Sequence, residues 1–137
     1  MDQSLIEEKL EALQRCIRRI EEKRPSAAKI LATDSDLQDI ISLNLTRAVQ
    51  ICVDIAAHII ADHNIPAPQT MSQAFEVLAD LNVINSSLAD RMKKSVGFRN
   101  IAVHNYQAID WQIVYNISTK NLEDFRGFAK AVSKLID

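Results

Sequence analysis

The run DLQDIISLNLTRAVQICVDIAAHIIADH, residues 36–63, decides the architecture. Leu37, Ile40, Ile41, Leu45, Ala48, Val49, Cys52, Ile55, Ala56, Ile59 and Ile60 return at three- and four-residue intervals, the period of one face of an α-helix. The apolar stripe is broad and the run contains no glycine or proline. A helix apolar over that much of its surface is surrounded by other helices, so this one is expected at the centre of a bundle. Asp34, Ser35 and Asp36 offer N-caps. Arg47, Asp54 and His58 interrupt the stripe. Asp54 and His58 stand four apart on one face, readable as a satisfied polar pair or as support for a site elsewhere.

Outward from this run the same period continues. Leu5, Ile6, Leu10, Leu13, Ile17 and Ile20 predict a helix over 4–24, with Ser4 and Glu7 as a capping box and Pro25 as its stop. A connector, 26–33, has room for one helical turn near Ala27 to Leu31. Downstream, Thr70 caps a helix over 71–81 that buries Phe75, Leu78 and Ala79. Ser86 or Ser87 caps another, carrying Leu88, Met92, Val96 and Phe98. Asp110 caps a last helix running from Trp111 to the C-terminus, with Trp111 read as core or interface packing. The expectation is an all-α, up-and-down bundle of four main helices with short extra ones, as a single domain over 1–137.

Composition narrows the function. The chain has two glycines and three prolines, which suits long helices and short connections. A formal net charge of −2 disfavours a generally basic, nucleic-acid-coating surface, so any such contact must be local. Cys16 and Cys52 sit among apolar neighbours and read as free buried thiols, with a disulfide or redox role as the alternative. The polar, acidic N-terminus does not resemble a signal peptide, and no apolar run is read as a membrane span. The protein is expected to be cytoplasmic.

The chemistry gathers in Gly97-Phe98-Arg99-Asn100-Ile101-Ala102-Val103-His104-Asn105-Tyr106. Arg99 can fork onto phosphate oxygens, His104 can exchange protons near neutral pH, Asn100 can orient either, and the Tyr106 hydroxyl can bind phosphate or be modified. The stretch holds no Asp, Glu or Cys, so it does not read as a metal site. On a regular helix, positions five apart differ by about 140°. Arg99 and His104 therefore converge only if the helix breaks, for which Gly97 is the candidate, or if a second copy of the chain completes the site. Arg91, Lys93 and Lys94 form a cationic patch just upstream with no acid following Asp90, readable as a phosphate-tracking groove or as a solvated face.

The pattern Arg-x-x-x-x-His-x-Tyr, with Asn100 directly after Arg99, resembles the signature of the HEPN superfamily. The ordered runs 74–79, 88–92, 96–100 and 109–111 extend the resemblance to the HepT toxins over roughly 33–136. The resemblance implies a small helical homodimer with ribonuclease activity and no cofactor. It also implies an MntA-type nucleotidyltransferase antitoxin as partner, transferring AMP units onto the motif tyrosine, by position Tyr106. On that reading Arg99 and His104 are catalytic, Asn100 supports them, and Arg91, Lys93 and Lys94 contact RNA. On the same reading, cleavage is expected to proceed through the 2′-hydroxyl without a metal. The alternative is a non-catalytic helical module that binds a nucleotide or partners a nucleotidyltransferase.

Overall fold

The computed structural model describes every residue from Met1 to Asp137. Its elements are α1 (Gln3–Lys23), α2 (Ala28–Leu31), α3 (Ser35–Asp62), α4 (Met71–Asp80), α5 (Ser86–His104), a 3-10 turn (Tyr106–Ala108), α6 (Trp111–Lys120) and α7 (Leu122–Ile136). The long helices α1, α3, α5 and α7 are the four expected, and α2, α4 and α6 are short additions.

The central role of α3 holds: it packs against every other helix. By length and apolar composition α3 passes as a membrane span, contrary to the reading that no apolar run does. Half of its most apolar stretch is buried within the bundle, as in the core helix of a soluble protein. Alongside it lies α1, antiparallel, with the Met1 amino group 2.9 Å from Asp62 and Lys9 3.6 Å from Asp54. Ile6, Leu13, Ile17 and Ile20 of α1 are fully excluded from solvent with Ile41, Leu45, Ile55 and Ile59 of α3. Phe75 of α4 and Phe128 of α7 close the far side, edge to face at 5.9 Å. Three polar residues reach the interior, Ser42, Asn44 and Ser118. Each bonds a nearby carbonyl on its own helix, so none is left orphaned.

Helix ends follow local chemistry with two shifts from expectation. The Asp34, Thr70 and Asp110 carboxylate or hydroxyl oxygens each accept from a backbone N–H of the first turn. Helix α1 starts earlier than the capping box implies: Asp2 accepts from Leu5 N, so Ser4 already lies inside the helix. Asn85, rather than Ser86 or Ser87, caps α5. Asn64 and Asn82, with φ of 56° and 60°, turn the chain out of α3 and α4; Asn tolerates this left-handed region better than most residues.

The expected single C-terminal helix is two helices, α6 and α7, broken at Asn121. Ser118 and Thr119 hydroxyls both bond back to the Tyr115 carbonyl, and Arg24 Nη1 reaches across from the end of α1 to the Ser118 carbonyl at 2.8 Å. Side chains that compete for helical carbonyls weaken a helix there. The break lets α7 turn onto α1 and α5 while α6 stays beside the Tyr106 turn.

Candidate active site

The site lies where the C-terminal half of α5 crosses α3. A polar line runs along α3 at Asp39, Ser42, Thr46, Gln50 and Asp54, spaced three and four residues apart. Facing it are Arg99, Ala102 and Tyr106. Asp39, Ser42, Thr46, Ala102 and Tyr106 line one cavity of about 360 Å³.

Arg99 is half-buried and held in place. Its Nη2 donates to Gln50 Oε1 and its Nη1 to Asn100 Oδ1, both at 3.3 Å. Gln50 in turn donates through Nε2 to Asp54 Oδ1 at 3.0 Å, which leaves its carbonyl oxygen for the guanidinium. Lys9 pairs with the same Asp54. The buried Arg99 Nε has no partner, an unusual expense for a structural arginine. Asp54 thus serves the motif through Gln50. It does not pair with His58, which is exposed and makes no bond to it.

His104 is the last residue of α5 and is exposed. The expected break at Gly97 is absent: α5 runs unbroken from Ser86 to His104, and a Cβ placed on Gly97 would meet nothing within 4 Å. Arg99 and His104 therefore leave one regular helix about 140° apart, and a single chain does not aim both at one point. Of the two routes to convergence, the helix break is the one the fold excludes.

Tyr106 follows directly in the 3-10 turn. Its hydroxyl donates to Asp39 Oδ1 at 2.7 Å and lies 3.5 Å from Ser42 Oγ, while its ring meets Trp111 edge-on at 5.8 Å. Burial raises the phenol above its ordinary value, and the Asp39 carboxylate adds to the rise while Ser42 opposes it. The residue as a whole nonetheless remains 40% exposed.

The upstream cations are less free than chain order implies. Arg91 Nε bonds Asp124 Oδ1 at 2.7 Å, and Lys93 Nζ bonds Glu76 Oε1 at 2.7 Å, a contact that raises the lysine's pKa. The compensating acids come from α7 and α4, far away in sequence. Lys94 alone of the three makes no ion pair; it lines a groove of about 430 Å³ with Phe98, Ile101, Ile113 and Phe125. No three His, Cys, Asp or Glu side chains converge anywhere in the fold. Reading the sequence by motif missed Asp39, Ser42 and Gln50. Their signal was present as the polar line interrupting an apolar helix, but its meaning depends on which helix faces it.

Comparison with known proteins gives the family. The profile of the family described as ribonuclease HepT-like matches residues 10–132. The mRNA nuclease HepT of Shewanella oneidensis is 38% identical over 128 residues, covering 93% of this chain and 96% of that protein. A solved structure of a tri-AMPylated HEPN toxin from Shewanella oneidensis, in complex with an MNT antitoxin, superposes with a TM-score of 0.90 at 37% identity, covering 98% of this chain and 99% of that one. A crystal structure of a toxin–antitoxin with AMP-PNP matches with the same TM-score and identity, covering 96% and 98%. With its helical bundle, its Arg99–His104 motif and this similarity over nearly its whole length, the chain belongs to the HepT-like ribonuclease family.

Proposed function

We propose that the protein is the toxin of a HEPN/MNT toxin–antitoxin pair, an endoribonuclease whose Arg99 and His104 act on one phosphodiester and whose Tyr106 is adenylylated by an MntA-type nucleotidyltransferase. The carrying observation is Arg99: a partly buried guanidinium, clamped by Gln50 and Asn100 with a third nitrogen unpartnered, five residues before an exposed imidazole. A cation fixed in this way is preorganised for charge that develops in a transition state.

In the reaction, a His104 imidazole takes the proton from the RNA 2′-hydroxyl, and the 2′-oxygen attacks the adjacent phosphorus. The bond to the 5′-oxygen breaks, and that oxygen is protonated by a second imidazole. The products are a 2′,3′-cyclic phosphate and a free 5′-hydroxyl. Arg99 neutralises the non-bridging oxygens throughout. Asn100 keeps the guanidinium oriented. A two-fold dimer supplies both imidazoles, one as base and one as acid, and brings an Arg99 within reach of each. DNA lacks the nucleophile. These steps call on no metal. Lys94 adds charge beside the motif; Arg91 and Lys93 contribute less because their ion pairs must open first.

Neutralisation follows from the position of Tyr106. Its oxygen attacks the α-phosphate of ATP, pyrophosphate leaves, and the hydroxyl proton passes to the Asp39 carboxylate to which it already donates. The added phosphate places negative charge and bulk two residues from His104, competing with RNA for Arg99. The action is cytoplasmic, where RNA and a nucleotide-loaded transferase meet.

Incubating the purified dimer with RNA in EDTA and analysing product ends tests the reading. Cyclic phosphate ends are expected from the wild type, with cleavage lost in Arg99→Ala and His104→Ala. Tyr106→Phe is expected to escape neutralisation by the transferase. EDTA-resistant cleavage by either alanine variant at wild-type rate removes the assignment.

A further inference from the structure

Between α1 and α3 runs an open groove of about 660 Å³, walled by Arg15, Cys16 and Arg19 on one side and by Leu43, Arg47 and Gln50 on the other. Three guanidinium groups border it and no carboxylate does. Arg15 and Arg47 make no ion pair, and Arg19 has only a Glu22 oxygen at 3.9 Å. Burial pushes the Cys16 thiol up and the charges of Arg47 and Arg15 oppose it. Arg15 and Arg19 are one turn apart on the same helix face, about 6 Å along the axis. Like charges so placed destabilise a helix. Folding alone therefore gives no reason to gather three of them in a chain that is acidic overall.

The groove leads to the motif. Gln50 lines it, and the Gln50 Oε1 atom accepts from Arg99. We propose that this groove is the track for the RNA backbone, with Arg15, Arg19 and Arg47 holding phosphates of the strand that runs past Gln50 to Arg99. The assignment rests on the ribonuclease reading above and names where the substrate is held outside the reacting bond. It also explains how an acidic protein binds a polyanion: the upstream patch is largely spent in ion pairs, whereas Arg15 and Arg47 make none and Arg19 has only the long contact to Glu22. Arginine suits the task, since its fork grips phosphate oxygens without reading bases.

The test uses the full-length protein and a fluorescent 2′-O-methyl RNA strand, which binds but cannot be cleaved. Anisotropy is measured over a series of salt concentrations for the wild type and for Arg15→Gln/Arg19→Gln/Arg47→Gln. Three lost phosphate contacts lower the log–log salt slope by about 2, and affinity at low salt drops about tenfold or more. With a cleavable strand the loss appears in KM. A control, Lys29→Gln/Lys130→Gln/Lys134→Gln, removes equal charge from residues lining other cavities and keeps the wild-type slope. The three arginines are exposed, so folding and oligomeric state are expected to persist. If the triple variant does not fold, Arg19→Gln and Arg47→Gln singly carry the test, each lowering the slope by about 0.7. Unchanged binding by the groove variants, or an equal loss in the control, overturns the proposal while leaving wild-type cleavage intact. So does retained RNA binding with lost transferase binding, which assigns the groove to the protein partner. A wild type that neither binds nor cleaves RNA removes the ribonuclease reading as well.

Discussion

Replacing Arg99 with methionine separates the catalytic cost of the guanidinium from its structural worth. Its two hydrogen bonds, each 3.3 Å to a neutral carboxamide oxygen, lie at the long end of the range. Each contributes about 0.5–1 kcal/mol, so their loss costs about 1–2 kcal/mol. Against this, the unpartnered Arg99 Nε is removed from the interior, which returns about 1–3 kcal/mol of desolvation. Methionine retains much of the aliphatic stem packing. The net change in stability therefore lies between a loss of about 1 kcal/mol and a gain of about 2 kcal/mol. Cleavage behaves differently. Removing one donor aimed at developing charge costs about 10²–10³ in rate, about 2.7–4 kcal/mol. Urea denaturation and cleavage of a labelled RNA in EDTA, on the same preparation, measure the two quantities. Destabilisation beyond about 3 kcal/mol identifies Arg99 as a structural residue and refutes the reasoning. Cleavage within about threefold of wild type does so from the other side.

Other consequences are equally direct. Asp39→Ala removes an acceptor and a negative charge that both favour the protonated phenol, so the Tyr106 titration, followed by NMR of labelled tyrosine, moves to lower pH; an upward shift contradicts the Asp39 contact. Phe128→Ala empties a fully buried site against Phe75 and costs about 3–5 kcal/mol, seen as a lower urea midpoint with unchanged slope; a loss under about 1 kcal/mol means the core is packed otherwise. Cys52 is fully buried, and burial raises its thiol well above the ordinary 9.0, with Cys16 shifted the same way. In the unfolded chain both thiols ionise near that ordinary value while the folded ones stay protonated, so their contribution is complete below it and is lost as pH rises past it. Stability at about pH 10 is expected to fall below that at about pH 7, with a shallower fall in Cys52→Ala; identical slopes for the two proteins rule the thiol out as the cause.

Much of the fold was legible because local rules were sufficient for it. The three- and four-residue return of apolar residues in 36–63 marks a buried helix wherever it occurs, and Asp34, Thr70 and Asp110 cap by bonding N–H groups two or three residues away. Local rules were less exact where several polar residues competed for one role, as Asp2 with Ser4 or Asn85 with Ser86 and Ser87. They gave no warning of the break at Asn121, because part of its cause is Arg24, nearly a hundred residues earlier, drawing on the Ser118 carbonyl.

The sequence by itself determined the helices, their apolar faces and the motif residues Arg99, Asn100, His104 and Tyr106, since periodicity and side-chain chemistry are properties of neighbours along the chain. Only the tertiary structure decided which charges are free. The crossing of α3 and α5 gives Arg99 its Gln50 and Tyr106 its Asp39. Packing of α4 and α7 against α5 supplies Glu76 and Asp124 to the patch that looked unopposed. Pairing of α1 with α3 assembles three arginines that never stand together in one run. Electrostatic attraction depends on distance in space, and distance in space between separate helices is set by how their apolar faces pack.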